Sequence, residues 1–179
     1  MKTVTRALVV RSVDYKDSDK ILTLLTPDMG KLSAGARGCR KKGSAIAAAC
    51  QLLCWSELVL SDRGGKWSVS EASTLREFLG VRRDLDKLAL ACYFAEMAEV
   101  LSVEGMPSPG LLSLTLNSLH ALECLDRPPE QIKAVFELKA MCLAWYEPLI
   151  EGCALCGEEN PEQAWFHLRE GVLCCARCR

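Results

Sequence analysis

The sequence predicts an α+β protein: an N-terminal five-stranded OB-like β-barrel, then an all-α bundle that carries a four-cysteine zinc element. Three observations lead there. Five short runs rich in Val, Leu, Ile and Thr fall within the first 73 residues, helical periodicity takes over from residue 74, and two Cys-x2-Cys pairs close the chain. The expected divisions are 1–80 for the barrel, 81–152 for the helices and 153–179 for the zinc element.

The strands come first. "TRALVVRSV" (5–13) and "KILTLLTP" (20–27) are bounded by the turn-forming "DYKDSD" and "PDMG", and "GKLSAGARG" (30–38) follows as their hairpin partner. After a basic, small-residue stretch, "QLLCWSELVLS" (51–61) and "KWSVSEAS" (66–73) flank "DRGG", whose glycines supply positive φ for a second hairpin. Five short strands with one longer interruption suit a small barrel, because curling a sheet onto itself removes its exposed edges. An SH3-like barrel is the second architecture that fits.

Three helices are predicted next. Asp84 caps "LDKLALACYFAEMAEVLSVEG", apolar nearly all round and ending at Gly105, as a helix buried among others would be. Ser108 and Pro109 open "SPGLLSLTLNSLHALECLD", and "PPEQIKAVFELKAMCLAWYEP" begins in the same way and stops before Pro148. Their Leu and Ala residues are core residues before they are anything else.

Cys153 and Cys156 form one pair and Cys175 and Cys178 the other, with eighteen residues between them. Two thiolates on a tight turn can take adjacent corners of a tetrahedron about 2.3 Å from Zn²⁺, and a second such turn closes the site. Four protein ligands leave no place for water, so one structural zinc ion is expected. The intervening "AWFHLREG" is read as a small ribbon whose Trp165 and Phe166 cover the metal turns. Cys174 is a competing thiol, and Cys175 is preferred because it repeats the spacing of the first pair. His167, mid-loop, is read as a surface residue. A dithiol redox pair is the other use of Cys-x-x-Cys, but no βαβ pattern surrounds either one. The remaining six cysteines (39, 50, 54, 92, 124 and 142) are scattered singly and read as packing or surface residues.

Half of the 179 residues are apolar and a quarter charged, no apolar run approaches the ~20 residues that cross a bilayer, and the N-terminus lacks an apolar stretch of signal-peptide length. A soluble cytoplasmic protein without membrane contact is expected, and an odd count of eleven cysteines in such a chain favours thiols and metal ligands over disulfides. The net charge of −1 conceals an asymmetry: residues 1–42 hold ten Lys or Arg against four Asp, a surplus of +6 that leaves −7 for the remainder. A basic half on an acidic protein suits a polyanion partner. Arg37, Arg40, Lys41 and Lys42 in "GARGCRKKGS" are the first candidates for phosphate contact, and Arg6, Arg11 and Lys20 would extend the track, with Lys16 and Lys31 beside them. Tyr15 and Trp67 are the candidate rings for base stacking. No paired carboxylates, nucleophile triad or phosphate-cradling glycine loop stands out, so a non-enzyme is expected.

A basic barrel, an acidic helical body and a four-cysteine element in that order resemble the bacterial RecO family of DNA repair proteins. The resemblance lies in "ALVVRSVDYKDSDKILTLLTPDMGKLSAGARG" (7–38), in "LREFLGVRRDLDKLALACYFAEM" (75–97) and in the terminal cysteine pairs. It implies a recombination mediator that binds single- and double-stranded DNA, anneals complementary strands, and works with RecR and the single-stranded DNA-binding protein to help RecA load. Family members continue with further helices after the second cysteine pair, whereas this sequence stops one residue after Cys178, so the resemblance implies a shortened copy with partly uncovered helix faces. Some relatives lack the zinc cysteines altogether. The rival reading is a protein-interaction adaptor, in which the zinc ribbon and helices dock partners and the barrel's charge is incidental.

Overall fold

The computed structural model describes residues 2–179. Five strands come first: β1 (Lys2–Tyr15), β2 (Asp19–Thr26), β3 (Gly30–Ala36), β4 (Trp55–Arg63) and β5 (Lys66–Arg76). They close into a barrel in the order β1-β2-β3-β5-β4, with β3 and β5 parallel at Ala34–Trp67 and every other pair antiparallel. This is the predicted five-stranded barrel. Closure depends on β1, which pairs with β4 through its first half (Lys2–Leu8) and with β2 through its second (Leu8–Tyr15). A register shift between Val9 and Arg11 bends it from one partner to the other.

The apolar run Ala7-Leu8-Val9-Val10 is buried on both faces because two cores meet there. Side chains alternate across a strand, so Ala7 and Val9 fill the barrel with Leu22, Leu24, Leu58 and Leu60, while Leu8 and Val10 turn outward under the helices. Leu24 and Leu25 divide in the same way. The outer face is covered by α2 (Leu85–Leu101) and α3 (Pro109–Cys124), with α1 (Leu79–Arg82) packed on both and α4 (Pro129–Leu143) meeting α2 where Phe136 stacks on Phe94 at 4.2 Å between ring centroids. Asp84 caps α2 as expected, accepting from the Asp86 and Lys87 amides.

Several sequence expectations need correction. The fourth strand begins at Trp55 and not at residue 51, because Gln51–Cys54 forms a turn with Leu53 at φ 64°. That turn is fixed from outside: Leu53 and Cys54 exchange backbone hydrogen bonds with Val9, and Arg82 donates to the Leu52 carbonyl. The short α1 was not foreseen. Helix α2 stops at Leu101 and not at Gly105, since Glu104 bridges to Gly30 and the Gly105 amide donates to the Lys31 carbonyl. Helix α4 ends at Leu143, four residues before the predicted stop, and Ser108 precedes α3 without a side-chain capping bond.

The chain divides into two compact units, one ending at Ala140 and one of Met141–Arg179. The second holds a three-stranded sheet, β6 (Leu149–Cys153), β7 (Ala164–His167) and β8 (Val172–Cys175), in the order β6-β8-β7. Among the described residues no helix is long and apolar enough to cross a membrane.

Two of the contacts between the barrel and the segments packed on it each predict a measurable effect. At Gly30, φ is +65° and an added Cβ would lie 2.0 Å from the Met106 carbonyl oxygen. Gly30→Ala should therefore lower stability by about 3 kcal/mol or more in urea unfolding, and a loss under about 1 kcal/mol would mean that residues 103–106 move aside freely. At the other contact, Glu123 of α3 accepts from Arg76 of β5 at 2.7 Å and from the Gly80 amide at 3.0 Å. Burial pushes its carboxyl up, but those two bonds outweigh it and hold the group below its ordinary 4.5. The depressed value makes this contribution complete above pH 4.5 and lost as pH falls through the lower folded value. The stability gap between wild type and Glu123→Gln should accordingly be widest at neutral pH and close on acidification.

Candidate functional site

The basic residues singled out from the sequence occupy different settings. Arg37, Lys41 and Lys42 lie on the turn-rich connection after β3, exposed, with no carboxylate in ion-pair range among the described residues. Gly38, at φ 65°, starts the reversal that presents them. Arg40 is also exposed but engaged: one guanidinium nitrogen is 3.3 Å from Asp14 and another donates to the Lys16 carbonyl at 3.4 Å. Arg6 faces Glu57 across the β1–β4 pairing at 3.9 Å, and Arg11 reaches Glu99 of α2 at 3.4 Å. Lys20 is half-buried at the start of β2, and the Lys31 ammonium is committed to the Glu99 carbonyl at 2.6 Å. The structure thus gathers Arg37, Lys41 and Lys42 at one end of the barrel beside Lys16, whose ammonium stands 5.3 Å from the exposed Tyr15 ring. Trp67 packs instead against the barrel core.

In the second unit the Sγ atoms of Cys153, Cys156, Cys175 and Cys178 lie within 4.8 Å of one another. Cys156 and Cys175 are 3.6 Å apart, near the roughly 3.8 Å that a tetrahedron with 2.3 Å metal–sulfur bonds requires. Each pair sits on a turn closed by backbone bonds, Gly157 to the Cys153 carbonyl at 2.8 Å and Cys178 to the Cys175 carbonyl at 3.0 Å. Cys175 and Cys156 amides point at the Cys153 sulfur and hold its thiol down at about 6, whereas hydrogen bonding to Cys156, then burial, pushes Cys178 up to about 12. Four sulfurs this close cannot all ionise without a compensating cation, so the donor set fits a bound divalent metal. Cys174 stands outside the group, paired across the ribbon with Trp165. Trp165 is half-buried under Arg179, whose guanidinium carbon is 4.9 Å from its ring centre, and Phe166 is largely exposed. Sequence reasoning did not single out Glu158, which accepts from Arg177 at 3.0 Å beside the cluster. Nothing in its local pattern set it apart from its acidic neighbours.

Family models describe both parts: the one for the recombination protein O N terminus matches residues 1–78, and the one for its C terminus matches 82–179. The chain belongs to the RecO family. Among its relatives, the DNA repair protein RecO of Acetivibrio thermocellus is 32% identical over 97% of this chain and 69% of its own length. Those of Caldicellulosiruptor saccharolyticus and Desulfitobacterium hafniense are 28% and 33% identical over the same share of this chain, and over 71% and 63% of their own lengths. RecO membership assigns the chain to DNA repair and recombination.

The cysteine geometry generates a test. Cys175→Ser should abolish the metal content of the purified protein while Cys174→Ser leaves it intact, as read by elemental analysis. Equal losses in the two variants would remove Cys175 from its place as fourth ligand.

Proposed function

We propose that the chain is a non-enzymatic recombination mediator whose barrel binds single- and double-stranded DNA. In this reading it anneals complementary strands and, with RecR and the single-stranded DNA-binding protein, helps RecA load. One observation carries the reading: three exposed cations with no carboxylate in ion-pair range among the described residues, Arg37, Lys41 and Lys42, lie on the loop that is hydrogen-bonded to the hairpin tip carrying Lys16 and the exposed Tyr15 ring. Phosphates meeting such a surface release condensed counterions whatever the base sequence, and an exposed ring accepts any base. Arg40 and Lys20 border the same surface in this proposal, while Arg6 and Arg11, each paired with a carboxylate on the barrel wall, would extend the track only for a strand that displaces Glu57 and Glu99. Annealing needs such sequence-tolerant binding and no bond chemistry.

The four cysteines hold one Zn²⁺ in this reading. A closed set of four thiolates polarises no substrate; it fixes the turns of a unit too small to fold on apolar burial alone. Reduced thiols and zinc agree with a cytoplasmic location. The adaptor reading rests on a different observation, the exposed Trp145, Tyr146, Leu149 and Ile150 of the second unit.

A single binding experiment separates the two. Changing Arg37, Lys41 and Lys42 together to Ala should weaken binding of an oligo(dT) strand and lower the log–log salt slope by about 2, at roughly 0.7 per lost phosphate contact. Metal content should not change. Unaltered affinity and slope would remove the DNA site from this loop, and failure of the wild-type chain to bind DNA at all would leave the adaptor reading.

A further inference from the structure

Two loops distant in sequence are laced together at the basic end of the barrel. The Gly38 amide donates to Asp19 Oδ1 at 2.8 Å, and the Arg40 amide donates to the Ser18 carbonyl at 2.9 Å. The Arg40 guanidinium then reaches back to the Lys16 carbonyl at 3.4 Å and to the Asp14 carboxylate at 3.3 Å. Every one of these bonds runs from the connection after β3 to the tip of the β1–β2 hairpin. Asp19 is the fixed point: it also accepts from the Ser18 hydroxyl at 3.3 Å, and the Gly38 amide is the first cause of its depressed carboxyl.

The arrangement is odd for a surface that attracts a polyanion. Asp14 and Asp19 subtract charge where the cations are densest, and Arg40, counted by sequence among the phosphate contacts, spends its donors on protein oxygens. Geometry accounts for both. The connection from Arg37 to Cys54 contains no strand or helix, so no regular element of its own sets the direction of its cations. We propose that Asp19 and Arg40 are positioning residues that lace the hairpin tip to the basic loop, so that Lys16, Arg37, Lys41 and Lys42 meet single-stranded nucleic acid as one surface. This rests on the reading of the barrel as a DNA-binding domain. Arg40 contributes by holding the loop and not by touching phosphate.

The test exploits the sign of the charge at position 19. Asp19→Ala and Asp19→Asn each make the surface more positive by one unit, so an electrostatic surface without lacing binds oligo(dT) more tightly in both. Lacing separates them: Asn keeps an acceptor for the Gly38 amide and Ala does not. Asp19→Ala should weaken binding by about fivefold or more, the consequence of one unsatisfied donor, and Asp19→Asn should restore it to wild-type affinity or better. Arg40→Lys keeps the charge but not the two-pronged grip, and should weaken binding as much as Arg40→Ala, with the salt slope unchanged in both.

Hydrogen exchange at the Gly38 amide, in the full chain without DNA, should accelerate in Asp19→Ala alone. Wild-type or tighter DNA binding by Asp19→Ala overturns the proposal, as does retention of full affinity by Arg40→Lys together with a lower salt slope in Arg40→Ala. Absence of DNA binding by the wild-type chain overturns the DNA reading and this one with it. Accelerated exchange in Asp19→Ala would then show that the loops are laced for another purpose.

Discussion

Where the β2–β3 turn meets the segment after α2, there is no room for a side chain, and much of the first unit depends on that approach. Gly30 packs against the Met106 backbone, Glu104 bridges to it, Gly105 donates to the Lys31 carbonyl, and the Lys31 ammonium closes on the Glu99 carbonyl. These contacts hold the end of α2 against one end of the barrel. Arg76 and Glu123 hold α3 to the end of β5. With both in place, the outer faces of Leu8, Val10 and Leu25 are sealed under helices and the barrel wall becomes the middle layer of two cores. That explains a strand which reads as continuously apolar where a half-exposed one would alternate.

Features whose cause is local could be read from sequence alone. The hairpin turns, the alternation of the five strands, the Asp84 cap and the two Cys-x2-Cys turns each follow from a few adjacent residues. Features imposed from a distance could not. Residues 102–105 offer no helix-stopping residue before Gly105, yet they are drawn out by the bridge to Gly30. Residues 51–54 have the composition of a strand, but Val9 and Arg82 bend them into a turn with Leu53 at positive φ. The four-residue α1 follows Phe78 at φ 52° and has neither cap nor periodicity to announce it. The lacing of the basic loop was illegible for the same reason, since Asp19 and Gly38 are 19 residues apart and neither is unusual where it stands.

The thiols show how environment separates residues of one type. Cys50 is fully buried in the barrel, and burial first, then neighbouring Cys39, pushes its thiol up to about 12, so it stays protonated and packs as a small apolar group. Cys54 is likewise raised by burial. The four thiols of the second unit converge on one another, where backbone amides stabilise a thiolate and a dication would stabilise the rest. Spacing separates the two sets in sequence, and its physical meaning is that a Cys-x2-Cys turn points two sulfurs at one place while isolated cysteines point at their own neighbours.

A net charge of −1 sets no obstacle to a polyanion, because charge acts locally when salt screens it over about 8–10 Å. On the barrel wall Lys2 is paired with Glu71, Arg6 with Glu57 and Arg11 with Glu99, and the Lys31 ammonium donates to a backbone carbonyl. Exposed pairs of this kind add little stability, but they cancel the field of the wall at a distance. At the end where the hairpin tip meets the loop after β3, Lys16, Arg37, Arg40, Lys41 and Lys42 outnumber Asp14, Asp17 and Asp19. The part of the basic surplus that lies on the wall is offset by Glu57, Glu71 and Glu99, so a phosphate chain approaching the barrel would meet one positive end rather than a uniformly positive surface.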